Sequence, residues 1–452
     1  MDQLIASLPE KTVVTDKDLL DNQSRDRTDI IPPGRPVAAV LARTTEDVVT
    51  AVKWANEHNV PVVPRGAGTG ISGGATATDG CLVISVARMQ QILDIDPVNF
   101  TARVEAGVIN HDLNIAAAKQ GLMYAPDPSS HEICSIGGNL ATNAGGLRCV
   151  KYGVTRAHVR TVKVVLPDGR VMETGHTTNK GVAGLDLAGL FVGAEGTLGI
   201  ITEATVALLP LPSSESVTLM GGFGSVEAAM NAVTEAMRRG ADPELMEFMD
   251  NATLKAIDEW KGTDFGDYAG LVLAQVRGSG AAERGETIAN AFEEFGAQDV
   301  IVADSEAEAD QLIEIRRMAY PAIERMGHAL TEDMCVPRSR LADMMRVVDE
   351  VAAEYDLKIY TCAHIGDGNV HPVFVWTEGT SHDMPPVVWE ACHKLFEAAW
   401  SFGGTITGEH GVGTLKQQFL AEELGEVSVD IHRRIKDALD PKGLFNPGKA
   451  LA

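Results

Sequence analysis

A chain of 452 residues with 45% hydrophobic content has enough apolar surface for roughly two to three globular domains. Lys plus Arg total 38 against 63 Asp plus Glu, a formal net charge of −25 with no basic cluster, which argues against nucleic acid and anionic membranes as partners. An acidic protein that handles an anionic substrate must supply positive charge locally, through a metal ion or a few arginines.

The first residues, MDQLIASLPEKTVVTD, lack a basic n-region and a long h-region, and no run approaches about 18 apolar residues. Neither a signal peptide nor a transmembrane span is expected, and a cytoplasmic location follows. Six cysteines (Cys81, Cys134, Cys149, Cys335, Cys362, Cys392) form no C-x-x-C pair, so reduced, mostly buried thiols are expected.

Along the chain, TTEDVVTAVKWANEHNV opens with Thr44 and a carboxylate at Asp47, a capping-box-like start, with Val48, Val49, Val52 and Ala55 at helical spacing. Strand-like VPVVP follows, then a glycine-rich loop, then the apolar strand CLVISVA. The loop holds a literal G-x-G-x-x-G at Gly68, Gly70 and Gly73. A Rossmann fingerprint must end a strand and open a helix, and here the helix comes first. Asp94 and Asp96 lie near the spacing of a ribose-binding acid, a weak coincidence without the strand-to-helix step. A loop between two strands can still form a nest of backbone N–H groups for phosphate, or be a plain surface loop. The residues alone leave both open.

Short strands and turns with a few helices continue to ITEATVALLPLP. From Ser225 the period changes: SVEAAMNAVTEAMRRG has a serine cap, helical apolar spacing and Gly240 as its stop. A second domain is therefore expected from about residue 212, with helices such as AAERGETIANAFEEFG alternating with strands such as LVLAQVRG and KIYTCAHIG in an open sheet. In EIRRMAYPAIERMG, Arg316, Arg317 and Tyr320 fall on a helix, either as a solvated charged face or with Arg316 gripping a carboxylate.

The segment AHIGDGNVHP places His364 and His371 around Asp367-Gly368, a two-residue hairpin signal. With those two as the loop, His364 would pair directly with His371 and both imidazoles would share one face. That is half of a metal site, or an ordinary cross-strand pair. TGEHGVG adds an acid and an imidazole between glycines. Glu409 would complete a set of two imidazoles and one carboxylate with an open position, which suits zinc and also manganese or iron. His410 would serve as a base, kept neutral by the nearby dication.

Several stretches together resemble the FAD-linked 2-hydroxyacid dehydrogenases of the vanillyl-alcohol oxidase superfamily, whose branches act on D-lactate, glycolate and D-2-hydroxyglutarate. They are PRGAGTGISGG, PDPSSHEICSIGGNLATNAGG, GLFVGAEGTLGIITEATVAL, HIGDGNVHP, TGEHGVG and DPKGLFNPGKAL, in family order over nearly the whole chain. The resemblance implies an α+β fold in which residues 1–211 form a PCMH-type FAD-binding domain. Residues 212–400 would form a substrate (cap) domain with an open antiparallel sheet, and 401–452 would return to the FAD domain.

It also implies cofactor contacts from Pro64, Arg65, Gly66, Ala67, Gly68, Thr69, Gly70, Ser72, Gly73 and Gly74. Further contacts fall to Pro126, Asp127 and Ser129, then to Gly137, Gly138, Thr142, Asn143 and Ala144. Glu195, Gly196, Ile200, Ile201 and Asn446 complete the set. Covalent relatives carry histidine at the place of Thr69, so FAD is expected to be non-covalent and to leave acid-precipitated protein. His364, His371 and Glu409 match metal ligands, His410 the base, and Arg316 the substrate-carboxylate arginine, with Tyr320 beside it.

The implied reaction is oxidation of a short D-2-hydroxyacid by hydride transfer to flavin N5, with D-lactate first and glycolate second. The 2-hydroxyglutarate branch carries lysine and asparagine where this chain has Thr331 and Val373. The electron acceptor would be a non-NAD partner: a quinone, a cytochrome, an electron-transfer flavoprotein or an iron–sulfur subunit. The resemblance allows a homodimer. Competing readings are a non-redox ether-bond synthase and a non-catalytic flavin- or zinc-binding subunit.

Overall fold

In the computed structural model, which describes residues 1–451, the chain divides into two compact units. The first comprises 1–145, 154–211 and the segment from Glu409 onward; the second comprises 146–153 and 212–408.

The first unit is built on two main sheets and a two-stranded one that pairs Leu122–Met123 with Leu209–Pro210. Strands β1 (Ala38–Leu41), β2 (Val62–Arg65) and β3 (Leu82–Ser85) make a small sheet with the two-residue strand Val13–Val14, and β1 and β2 both pair with β3 in parallel. Helix α1 (Thr45–His58) connects β1 to β2. It starts because the Thr44 hydroxyl accepts the N–H of Asp47 at 3.2 Å, and it stops at Asn59 in the left-handed region. Its apolar stripe, Val48, Ala51, Val52 and Ala55, packs with Val40, Val62, Leu82 and Ile84. As the sequence suggests, the order is helix, strand, glycine-rich loop, strand. The 66–81 connection contains no helix.

The second sheet is antiparallel, formed by β4 (Ile92–Asp96), β5 (Thr101–Glu105), β6 (Val159–Val165), β7 (Val171–Gly175) and β8 (Ile200–Ala207) in the order β4-β5-β8-β6-β7. The short helix Ile136–Thr142, capped by Ser135, packs Ile136 and Leu140 against this sheet's core.

The second unit is one eight-stranded antiparallel sheet with helices. Its elements are β9 (Ser216–Phe223), α2 (Val226–Arg238), β10 (Leu245–Asp250), α3 (Asn251–Lys261), β11 (Gly270–Arg277), α4 (Ala281–Glu294) and β12 (Ala297–Val302). Then come α5 (Glu306–Glu324), β13 (His328–Thr331), α6 (Leu341–Glu354), β14 (Lys358–His364) and β15 (Asn369–Trp376). The strand order is β12-β9-β11-β10-β14-β15-β13, with Met334–Cys335 pairing β15 as the eighth strand. Alternation along β10, β11, β14 and β15 sends Met249, Leu271, Cys362 and Val373 to one face, where α3 and α5 cover them through Leu254, Ile257, Ala319 and Ile323. This α+β architecture is the class the sequence implied.

The central hairpin departs from expectation. His364 pairs with Asn369 and Cys362 pairs with His371, so the loop is 365–368 rather than Asp367-Gly368 alone. Gly366 is drawn out of the ladder: its N–H donates to the Met246 carbonyl, and a Cβ on it would fall 2.5 Å from Val150. The two histidines still share a face, because residues two apart on a strand point the same way. They meet diagonally, with ring centroids 5.0 Å apart.

Candidate functional site

In the first unit the glycine loop is braced by residues distant in sequence. Ser135 Oγ accepts the N–H of Ala67 at 3.2 Å, and a Cβ on Gly66 would lie 2.6 Å from that oxygen. Gly68 has φ +76, with the Arg65 guanidinium 2.1 Å from where its Cβ would be. A side chain at Gly66 would displace the Ser135 hydroxyl, and one at Gly68 would be strained by the positive φ. At Gly70, by contrast, a Cβ would meet nothing nearer than the Asp26 carboxylate at 3.9 Å, so the loop leaves open space there that a bound group can fill. Thr69 lies between these two glycines and is partly exposed.

The tail and two buried charges hold the far end of the loop. Asn446 Nδ2 donates to the carbonyls of Gly74 (2.9 Å) and Glu195 (2.7 Å), and Lys449 donates to those of Gly74 (3.1 Å) and Thr76. Asp26 accepts the Thr76 hydroxyl and the Ala75 N–H. Burial pushes Lys449 down to about 8 despite the opposing charges of Asp26, Cys81 and Glu195. Burial also raises Asp26, against hydrogen bonds from Thr28, Thr76 and Ala75.

Glu195 is the second brace. It adopts φ +48, and its carboxylate accepts the N–H groups of Val412 (2.8 Å) and Gly413 (2.9 Å). Burial pushes its carboxyl up to about 7, against those two hydrogen bonds and the charge of Lys449. Ser72 works beside it: its hydroxyl donates to the His410 carbonyl at 3.1 Å, and its carbonyl accepts the Thr414 N–H at 2.9 Å. The backbone from His410 to Thr414 is therefore fixed from two sides. Glu409 and His410 open this segment, with His410 Nε2 3.6 Å from Glu409 Oε1.

The remaining expected cofactor residues scatter in character. Gly137 and Gly138 lie in the helix capped by Ser135, and a Cβ on Gly137 would fall 2.6 Å from Ala106 Cβ. Thr142 ends that helix and Asn143 follows with φ +53, its Oδ1 accepting the Arg156 N–H; Ala144 is buried. Pro126 accepts Asn110 Nδ2, and Asp127 and Ser129 follow it in the same connection. A Cβ on Gly196 would lie 2.8 Å from Pro64. Ile200 and Ile201 are buried in the two apolar cores.

The second unit holds the histidines. His364 Nδ1 is 2.8 and 2.9 Å from the two oxygens of Glu247, and His371 Nδ1 is 3.3 Å from the Glu332 carbonyl and 3.7 Å from Asp333 Oδ1. Carboxylate and carbonyl oxygens only accept, so each ring carries its proton on Nδ1. Both residues are only 4% exposed, and Nε2 is the ring nitrogen that points away from those oxygens. This is how a metal-binding imidazole is held from behind.

Arg316 and Tyr320 lie one helical turn apart on α5. Arg316 Nε donates to Glu247 Oε2 at 2.9 Å, so Arg316 does meet a carboxylate, that of the protein itself. Arg317 points outward and pairs with Glu314 at 3.6 Å, the solvated reading. Sequence reasoning missed Glu247, whose signal was an acid among the apolar residues of LMEFM, and it missed the carbonyl of Glu332, which no side-chain motif could reveal. Thr331 and Val373 are cross-strand partners on β13 and β15, and Val373 shares the face of His371 two residues away.

A glycine-rich loop in one unit and an antiparallel sheet bearing two buried imidazoles in the other are the features expected of a flavin-dependent oxidoreductase. Comparison with known proteins bears this out. Residues 36–175 match the FAD binding domain family and residues 212–450 match the C-terminal domain of FAD linked oxidases. The chain belongs to the FAD-linked oxidase family, and FAD is its cofactor. The glycolate oxidase subunit GlcD of Bacillus subtilis (strain 168) is 41% identical over 421 residues, covering 92% of this chain and 89% of that protein. D-lactate dehydrogenase of Anaerostipes hadrus is 36% identical over 455 residues, covering 98% and 94%. The crystal structure of p-cresol methylhydroxylase with substrate bound shares the fold, with a TM-score of 0.82 at 18% identity over 99% of this chain and 95% of that one. Among the described residues no helix is long and apolar enough to cross a membrane.

Proposed function

We propose that this enzyme oxidises a short D-2-hydroxyacid, D-lactate before glycolate, to the 2-oxoacid with non-covalent FAD and a divalent cation, zinc first. Electrons then pass to a non-NAD acceptor. The observation that carries the reading is the pair of buried imidazoles on one sheet face, their ring centroids 5.0 Å apart and each held through Nδ1 by a protein oxygen. Relatives named D-lactate dehydrogenase and glycolate oxidase subunit support the substrate class.

In this reading His364, His371 and Glu409 hold the cation. Glu409 follows Gly408 by one peptide bond, and Gly408 is tied to the histidine strands within its own unit. Its N–H donates to the Asp333 carbonyl at 3.2 Å, and a Cβ on it would lie 2.8 Å from Asn369, the cross-strand partner of His364. The Arg316 Nε is engaged by Glu247, so the Nη end would meet the substrate carboxylate, with Tyr320 beside it. His410 takes the α-hydroxyl proton.

When bound, the cation would supply positive charge for the hydroxyl and carboxylate oxygens, and FAD would supply the acceptor for the α-hydrogen and its electron pair. Val373 is buried among apolar side chains and Thr331 is uncharged, which suits a methyl rather than a second carboxylate. Steady-state rates with an artificial acceptor on D-lactate, L-lactate, glycolate and D-2-hydroxyglutarate test the reading. D-lactate should give the highest kcat/KM; a preference of about tenfold or more for D-2-hydroxyglutarate contradicts it.

A further inference from the structure

Glu247 sits on the sheet face that carries His364 and His371, among apolar neighbours on its own strand and the next. Leu245 and Met249 flank it on β10, and Leu273 is its partner on β11. Its side chain is 1% exposed. The register that pairs Phe248 with Ala363 and Met249 with Cys362 puts Glu247 opposite His364 on the neighbouring strand. A carboxylate in such a place is strongly disfavoured unless its oxygens are fully engaged.

Both oxygens are engaged, by groups from two different elements. His364 Nδ1 on β14 is within 2.9 Å of each, and Arg316 Nε on α5 is 2.9 Å from Oε2. The geometry points to Glu247 as a positioning residue that couples the metal site to the substrate-binding arginine. By accepting from Nδ1 it fixes the tautomer and plane of His364, so that Nε2 is the ligand atom. By accepting from Arg316 Nε it orients the guanidinium and turns the Nη end toward the substrate carboxylate. One carboxylate thereby sets two groups that act on the same substrate, and it supplies the negative charge that balances the partly buried guanidinium. A neutral amide cannot do this. It offers one accepting oxygen, while its amide nitrogen opposes a second donor.

The inference rests on the proposed metal site, and the test separates the two. Zinc affinity of the metal-depleted, FAD-containing protein is measured by competition with a chromophoric chelator for wild type, Glu247→Gln and Glu247→Asp. Thermal midpoints without metal and KM and kcat for D-lactate are measured alongside. Glu247→Gln should weaken zinc binding about 10- to 100-fold. It should also raise KM for D-lactate by about tenfold or more, because the guanidinium is no longer held.

Glu247→Asp keeps the charge but is one methylene too short to reach both partners. It should lose zinc affinity to a smaller extent, and it reads the effect if the glutamine variant does not fold. A lowered midpoint with zinc affinity within about twofold of wild type, in whichever variant folds, means that Glu247 only ties α5 to the sheet, and overturns the inference. Wild type that binds no zinc overturns the inference together with the metal reading beneath it.

Discussion

The carboxylate of Glu195 accepts the backbone N–H of Gly413 at 2.9 Å, across 218 residues of sequence. It takes the N–H of Val412 with its other oxygen. The segment that begins with Glu409 and His410 is thus clamped by a buried acid, and that acid is pushed up to about 7, above the unfolded value of about 4.3. Between those values the folded protein binds a proton that the unfolded chain does not. The stabilisation from this group is therefore complete below about pH 4.3 and is lost as pH rises through about 7. Glu195→Gln removes the titration, so the decline in urea midpoint from pH 5 to pH 8 should be shallower in the variant. Equal slopes would show that Glu195 titrates as it does in the unfolded chain.

The same clamp makes Gly413 a sensitive position. It has φ +51, and a Cβ there would lie 2.1 Å from the Ser72 carbonyl oxygen, which is backbone and cannot swing away. Gly262 also has a positive φ, +69, but nothing lies within 4 Å of its would-be Cβ. Gly262→Ala should therefore lose only the left-handed penalty of about 1 kcal/mol and keep full activity. Gly413→Ala should lose more stability and lower kcat at least about tenfold, since the His410 backbone must shift. Thermal midpoints and kcat of the two variants side by side check this; equal, small losses would show that the segment is not held where the contacts place it.

Much of this was readable in advance where the determinants are local. The Thr44 cap, the Ser225 cap and the Gly240 stop follow from side chains within a few residues of the backbone they satisfy. The glycine loop between two strands was legible because the helix could be assigned to the wrong side for a dinucleotide fold. The histidine pair was legible as a pair, but its register was not. The Asp-Gly signal favours a two-residue turn, whereas the close approach of Met246 and Val150 to Gly366 imposes a longer one. Glu247 was invisible for the same reason at larger scale. Its partners lie 69 and 117 residues away, and no periodicity in LMEFMD says what that acid will face.

The flavin half-reaction reports most directly on the cation. The purified protein, mixed anaerobically with D-lactate, should lose its oxidised-flavin absorbance rapidly. The bleaching should slow at least about a hundredfold after metal removal by a chelator and return when zinc is added back. His364→Ala and His371→Ala should behave like the chelated protein while retaining bound FAD. Bleaching at an unchanged rate in chelated protein shown to be metal-free would contradict the central claim that the two imidazoles hold a cation that acts on the substrate.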